Sequence, residues 1–175
     1  MPKVTRRRSG QSMVEFALIS PLLILILFLT IDFARLVYTY AAVSWATRQA
    51  ARVVSLEPQN TSDCQALQVA EQTAQGFQLS ADPNSRAGNS DPNAPSAPYA
   101  PTPIPPAGRG YIYIWPAVAG ADPDHNCNGT TRGASGTIQD VAVQVKYTYL
   151  PLMPLISSFV PSFTITTISV VHVEY

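Results

Sequence analysis

Between Phe16 and Ile31 the chain reads FALISPLLILILFLTI, without a charged residue, directly after a basic leader holding Lys3, Arg6, Arg7 and Arg8. Each Leu, Ile or Phe contributes roughly −0.3 to −0.6 kcal/mol at mid-bilayer, and their sum of about −5 kcal/mol outweighs Ser20, Pro21 and Thr30. The run is slightly short of the roughly 20 residues that span hydrocarbon. The helical pattern continues past Asp32 and Arg35 through LVYTYAAVSWA, so the span is expected to draw on Leu36 to Val43. The basic cluster predicts a single crossing with the amino end in the cytoplasm and everything after about residue 45 outside. A removable secretory signal is disfavoured, because the first clear small-x-small site, Ser44-Trp45-Ala46, lies well beyond the apolar run.

Composition narrows the function classes. Formal charge is zero, yet the leader holds four cations and no acid, so the rest of the chain is net negative. That remainder lacks the basic footprint of a nucleic-acid binder. Charged residues make up 13% and prolines number 16, which fits an apolar anchor joined to loop-rich exported structure.

Glu15 abuts the apolar run, where a charge is costly and tends to have a partner or a task. Read alone, it marks the water boundary of the helix. Its surroundings say more. Arg6-Arg7-Arg8-Ser9-Gly10 is followed by Gln11-Ser12-Met13-Val14-Glu15-Phe16 and then the apolar helix. A basic leader ending in glycine, with glutamate five residues later, resembles the class III signal of type IV pilins. The resemblance implies a prepilin peptidase cut between Gly10 and Gln11. It also implies that Glu15 neutralises the new amino group of a neighbouring subunit, a pairing that low dielectric favours and that leaves either charge alone heavily penalised.

The segment from Gly10 to Leu56 closely resembles the opening of TadE-like proteins, small pilin-like components of tight-adherence (Flp) pilus systems. The carboxy-terminal VAVQVKYTYLPLMPLISSFVPSFTITTISVVHVEY also resembles that family: an alternating strand ending in Tyr, a Pro-Leu-x-Pro-Leu turn, a short apolar helix and a Thr-rich strand. The middle, from roughly residue 80 to 136, departs from the family pattern.

Three regions are expected: a basic leader at 1–10, a transmembrane and extended helix at 11–56, and an exported α+β domain at 57–175. Beyond the membrane the helix carries an apolar stripe of Ala34, Val37, Tyr38, Ala41, Ala42, Trp45 and Ala46. The stripe fits either packing on its own domain or packing between subunits. Asp32 and Arg35 are spaced to pair across one turn, Arg48 and Arg52 lie four apart on a more polar face, and Pro58 stops the helix. Thr61-Ser62-Asp63 offers cap chemistry for a second helix through about Gln75, ended by Gly76. From about 82 to 106 the Pro-, Ala-, Asn- and Ser-rich composition predicts an exposed, partly extended loop. Tyr111–Trp115 alternates aromatic and aliphatic residues, and Val141, Val143, Val145, Tyr147 and Tyr149 share one face opposite Gln144, Lys146 and Thr148. This period of two predicts strands, with Phe163 to Tyr175 as the last. The expected fold is a small antiparallel sheet packed on the outer half of the long helix, a pilin-like α+β arrangement.

Candidate chemistry is sparse. Cys64 and Cys127 are expected to form one disulfide in an oxidising exported compartment, worth about 4 kcal/mol in the chain-entropy model; free or metal-bound thiols are the lesser reading. Asp124, Asn126 and Asn128 with Gly129 match the first half of a calcium loop, and Asp122 and Asp140 lie within sequence reach. Ser135 stands where the bidentate glutamate belongs, so an Asx-rich turn is the favoured reading and calcium the lesser one. No nucleophile elbow, phosphate loop or HExxH is present, and His172 reads as a sheet residue. No cofactor is expected and no catalysis. The leading expectation is a minor pilin-like (pseudopilin) subunit whose partners are a prepilin peptidase, other pilus-assembly subunits and lipid. The alternative is an unprocessed, signal-anchored binding protein or adhesin.

Overall fold

The structure is a computed structural model, and residues 9–56, 63–81, 103–115, 140–153 and 162–172 are described. Helix α1 runs unbroken from Ser9 to Leu56, through Pro21, and α2 spans Asp63–Thr73. Four strands follow: β1 (Gln78–Ala81), β2 (Arg109–Trp115), β3 (Asp140–Tyr149) and β4 (Phe163–His172). They form one sheet in the order β1-β2-β3-β4.

The α+β architecture is as expected, with the outer half of α1 packed on the sheet. The sheet, however, is mixed and not wholly antiparallel. β2 pairs antiparallel with β3, and β3 with β4, but β1 runs parallel to β2 from Gln78↔Arg109 to Ala81↔Ile112. Consecutive antiparallel strands can be joined by short turns, whereas a parallel pair needs a long crossover. Here the stretch between Ala81 and Arg109 provides it. β1 follows α2 through Gly76, whose φ of 90° is the left-handed geometry that ends a helix at low cost for glycine.

Period two decides the faces of β3. Val141, Val143, Val145, Tyr147 and Tyr149 meet α1, with Ile112 and Ile114 beside them, and Val43, Ala46, Ala50, Ala51 and Val54 close the core from the helix side. α2 adds Ala66, Leu67, Ala70 and Ala74 to the same core. Small helix residues let the backbone of α1 approach the sheet closely. Gly110 allows a similar approach within the sheet, since a Cβ there would lie 2.5 Å from Leu79 Cδ2 and 3.0 Å from the Lys146 carbonyl. The face away from α1 is buried too. Tyr113 and Trp115 cluster with Ala142, while Gln144 and Thr148 are buried on that side.

The Pro-rich stretch was expected to be exposed through residue 106. Residues 82–102 lie outside the described residues. At its end, Pro105 is buried and accepts a hydrogen bond of 2.7 Å from Thr148 Oγ1, while the Pro103 carbonyl accepts one of 3.2 Å from Tyr113 Oη. Proline lacks an N–H but keeps its carbonyl, so it can still dock as an acceptor.

Candidate functional site

The first turns of α1 hold the expected processing junction. Gly10 is exposed, and a Cβ built there meets nothing within 4 Å. Packing therefore does not require glycine at this position, although glycine inside a helix costs about 1 kcal/mol relative to alanine. Gln11 Nε2 donates to Glu15 Oε1 at 3.1 Å, one helical turn along. Both side chains are exposed.

From Gly10 to Ile31 no residue of α1 is buried, and its most apolar stretch makes the helix long and apolar enough to cross a membrane. Phe16 is 68% exposed and Leu27 59%. A helix apolar all round and uncovered by its own chain is suited to lipid, not water. At 1.5 Å per residue this stretch is about 33 Å long, close to the roughly 30 Å of bilayer hydrocarbon. Leu36 to Val43, expected to contribute to the span, lie where the outer domain meets the helix. Leu36 packs against the core and Val43 is fully buried in it, because the domain begins to cover α1 at Asp32.

The face of α1 that meets the sheet also differs from the apolar stripe read in the sequence. Asp32, Leu36, Thr39, Val43, Ala46, Thr47, Ala50 and Val54 face inward at helical spacing. Of the expected stripe only Ala46 is buried; Val37, Tyr38 and Trp45 remain 50%, 63% and 56% exposed. Threonines tolerate the inner face because their hydroxyls find acceptors. Thr39 Oγ1 donates to the Arg35 carbonyl and Thr47 Oγ1 to the Val43 carbonyl, both at 2.8 Å. Thr47 also meets Thr167 on β4, with oxygens 2.6 Å apart. The result is an inner seam of small and polar residues and an outer stripe of larger apolar ones left open.

Where the apolar stretch ends, Asp32 ties the helix to the sheet. Its carboxylate accepts the Leu152 N–H at 3.0 Å, and its main-chain carbonyl accepts the Tyr149 hydroxyl at 3.1 Å. Asp32 Oδ2 is buried with no partner among the described residues. Arg35 does not pair with Asp32 as its spacing suggested; its guanidinium lies 5.6 Å above the Tyr149 ring, a cation–π geometry. Burial pushes the Tyr149 phenol above its ordinary value, the Asp32 carboxylate adds to this, and Arg35 opposes it. By spacing, Asp32 reads only as a partner for Arg35; its place directly after the apolar run is the signal that could have singled it out. Its partners lie more than a hundred residues away, and no local pattern joins them.

The remaining candidates are not brought together with these. Cys64 is buried and is not a free thiol. Cys127 lies outside the described residues, as do Asp122, Asp124, Asn126 and Asn128. Asp140, the further calcium candidate, is 2.9 Å from His172 Nδ1 across β3 and β4, an exposed pair. Among the described residues no three His, Cys, Asp or Glu side chains cluster as metal ligands would.

The site is thus a long helix, apolar all round in its first half, whose outer half packs on a small α+β domain. The model of the family described as TadE-like protein matches residues 10–52, so the amino-terminal segment is TadE-like, as its residues implied. The match begins at Gly10 and covers the apolar stretch, Asp32 and most of the outer helix. No curated protein and no solved structure matches the chain.

Proposed function

We propose that this protein is a minor pilin-like (pseudopilin) subunit acting in assembly of a tight-adherence type IV pilus or a related secretion machine. Its work is assembly, not catalysis. The observation that carries the reading is the split of α1 into two faces. The domain packs on the inner seam of small and polar residues and leaves Val37, Tyr38, Ala41 and Trp45 open, in line with the lipid-facing stretch. A continuous apolar helix face that its own domain does not cover suits the helix of another subunit.

In this reading a prepilin peptidase cuts between Gly10 and Gln11, and glycine is there for the enzyme, since nothing in the fold presses on that position. The new ammonium at Gln11 and the Glu15 carboxylate become the charge pair that joins neighbouring subunits at the membrane rim. The TadE-like match from residue 10 supports both assignments. The chain resides in the inner membrane with its amino end inside. A Cys64–Cys127 disulfide ties α2 to the stretch beyond β2 in the oxidising exterior.

Amino-terminal sequencing of the protein from its own host tests the reading. The expected start is Gln11, lost in Gly10→Val, and Glu15→Ala is expected to abolish assembly while the chain still reaches the membrane. An intact leader together with fibre production unchanged in both variants would overturn it in favour of a plain anchored binding protein.

A further inference from the structure

We infer that the membrane-proximal end of the outer domain, formed by Leu150, Leu152 and Phe163, with Phe33 next to Asp32 on α1, is seated in the lipid surface as a second membrane contact. The inference rests on α1 crossing the membrane. Four observations lead to it. First, the uncharged stretch ends at Ile31, so Asp32 marks the level of the bilayer boundary. Second, the 3.0 Å bond from the Leu152 N–H to the Asp32 carboxylate, with Tyr149 on the Asp32 carbonyl at 3.1 Å, holds the end of β3 at that same level.

Third, the side chains presented there are large and apolar: Leu152 and Phe33 are each 65% exposed, Leu150 47%. Phe163 opens β4 directly opposite Tyr149, their rings 5.4 Å apart, so both strands deliver apolar groups to one end. Scattered exposed leucines need no explanation, but a cluster continuous with a lipid-facing helix does. Fourth, the charge pattern agrees. No charged residue occurs between Lys146 and His172 in the sequence. Arg35 is held over the Tyr149 ring about one turn above the boundary, where lipid phosphates lie.

The occupant is therefore a bilayer, which offers hydrocarbon and phosphate at the required spacing. A two-point contact would fix the tilt of the domain on its helix, so that the open stripe of Val37, Tyr38 and Trp45 faces along the membrane plane toward neighbours.

The test uses the full chain in phosphatidylcholine–phosphatidylglycerol vesicles carrying brominated lipid. Leu152→Trp and, as a second reporter, Leu150→Trp are compared with Leu23→Trp in the helix and Val170→Trp near the far end of β4. Emission from Trp45 and Trp115, measured on the unchanged chain, is subtracted. Reporters at 150 and 152 are expected to be quenched severalfold more than the one at 170 and to emit at shorter wavelength. If Leu23→Trp is quenched while both boundary reporters behave like Val170→Trp, the lipid contact is overturned and the membrane helix stands. If boundary reporters are shielded from brominated lipid and from aqueous iodide alike, protein covers them, a second copy included, and the inference falls. If Leu23→Trp is also unquenched, the membrane reading fails and takes the inference with it.

Discussion

Removing the Asp32 carboxylate isolates the tie between the long helix and the end of β3. In Asp32→Ala the Leu152 N–H loses its acceptor at 3.0 Å, whereas Tyr149 keeps the main-chain carbonyl at 3.1 Å. A hydrogen bond to a charged acceptor is worth about 1.5–3 kcal/mol. The Leu152 amide is only part-buried, which places the loss near the lower end. Relief of the buried, unpartnered Oδ2 offsets some of it. The expected net cost is about 1 kcal/mol for Asp32→Ala. Asp32→Asn retains an oxygen for Leu152 and removes the buried charge, so it should stay within about 0.5 kcal/mol of the unchanged protein.

Two assays read this on the full chain in detergent micelles. Urea unfolding followed by fluorescence gives the global value. Hydrogen exchange at the Leu152 amide gives the local one, where each 1.4 kcal/mol is about tenfold in protection. Loss of protection in Asp32→Ala with retention in Asp32→Asn is the expected pair. Should alanine leave both measurements unchanged, the carboxylate does not hold the strand end. Should asparagine be as harmful as alanine, charge matters and not acceptor geometry, and the account given of Asp32 is wrong.

Thr47→Val strands the buried Thr167 hydroxyl and should cost about 1–2 kcal/mol, while Thr47→Val with Thr167→Val should cost less than the sum of the singles, as a double-mutant cycle in urea would record. Alkaline pH should weaken the domain through its tyrosines. The Tyr147 and Tyr149 phenols are both raised above 10.0, chiefly by burial, so their contribution is full below the unfolded value and is lost as pH rises through the folded one. Lys146, lowered by burial, works in the opposite sense and equally in both proteins compared. The thermal midpoint should therefore fall less steeply between about pH 9 and 11 in Tyr149→Phe than in the unchanged protein; parallel curves would refute this.

Much of the architecture could be read from local pattern. The uncharged run after a basic leader is sufficient to predict the membrane helix, because bilayer insertion depends on composition and length alone. β3 was legible because Val141 through Tyr149 alternate over nine residues, and β4 because its Thr, Ile and Val are β-branched. The spacing of Gly10, Gln11 and Glu15 on which the proposed junction rests was also legible, since it lies within one helix.

Long-range geometry decided the rest. β1 has four residues, too few to show a period, and its pairing partner lies across a crossover. Helix periodicity offered one apolar stripe on the outer half of α1, equally suited to packing on its own domain or between subunits. The fold buries a different face. Ala46, Ala50 and Ala51 let the backbone approach the sheet, and Thr39 and Thr47 satisfy their hydroxyls on carbonyls one turn back, so burying them costs little. The partners of Asp32 could not be read locally, because Tyr149 and Leu152 reach it only once β3 lies along the helix. A sequence states which residues are apolar; which of those stay uncovered is settled by what the rest of the chain packs against.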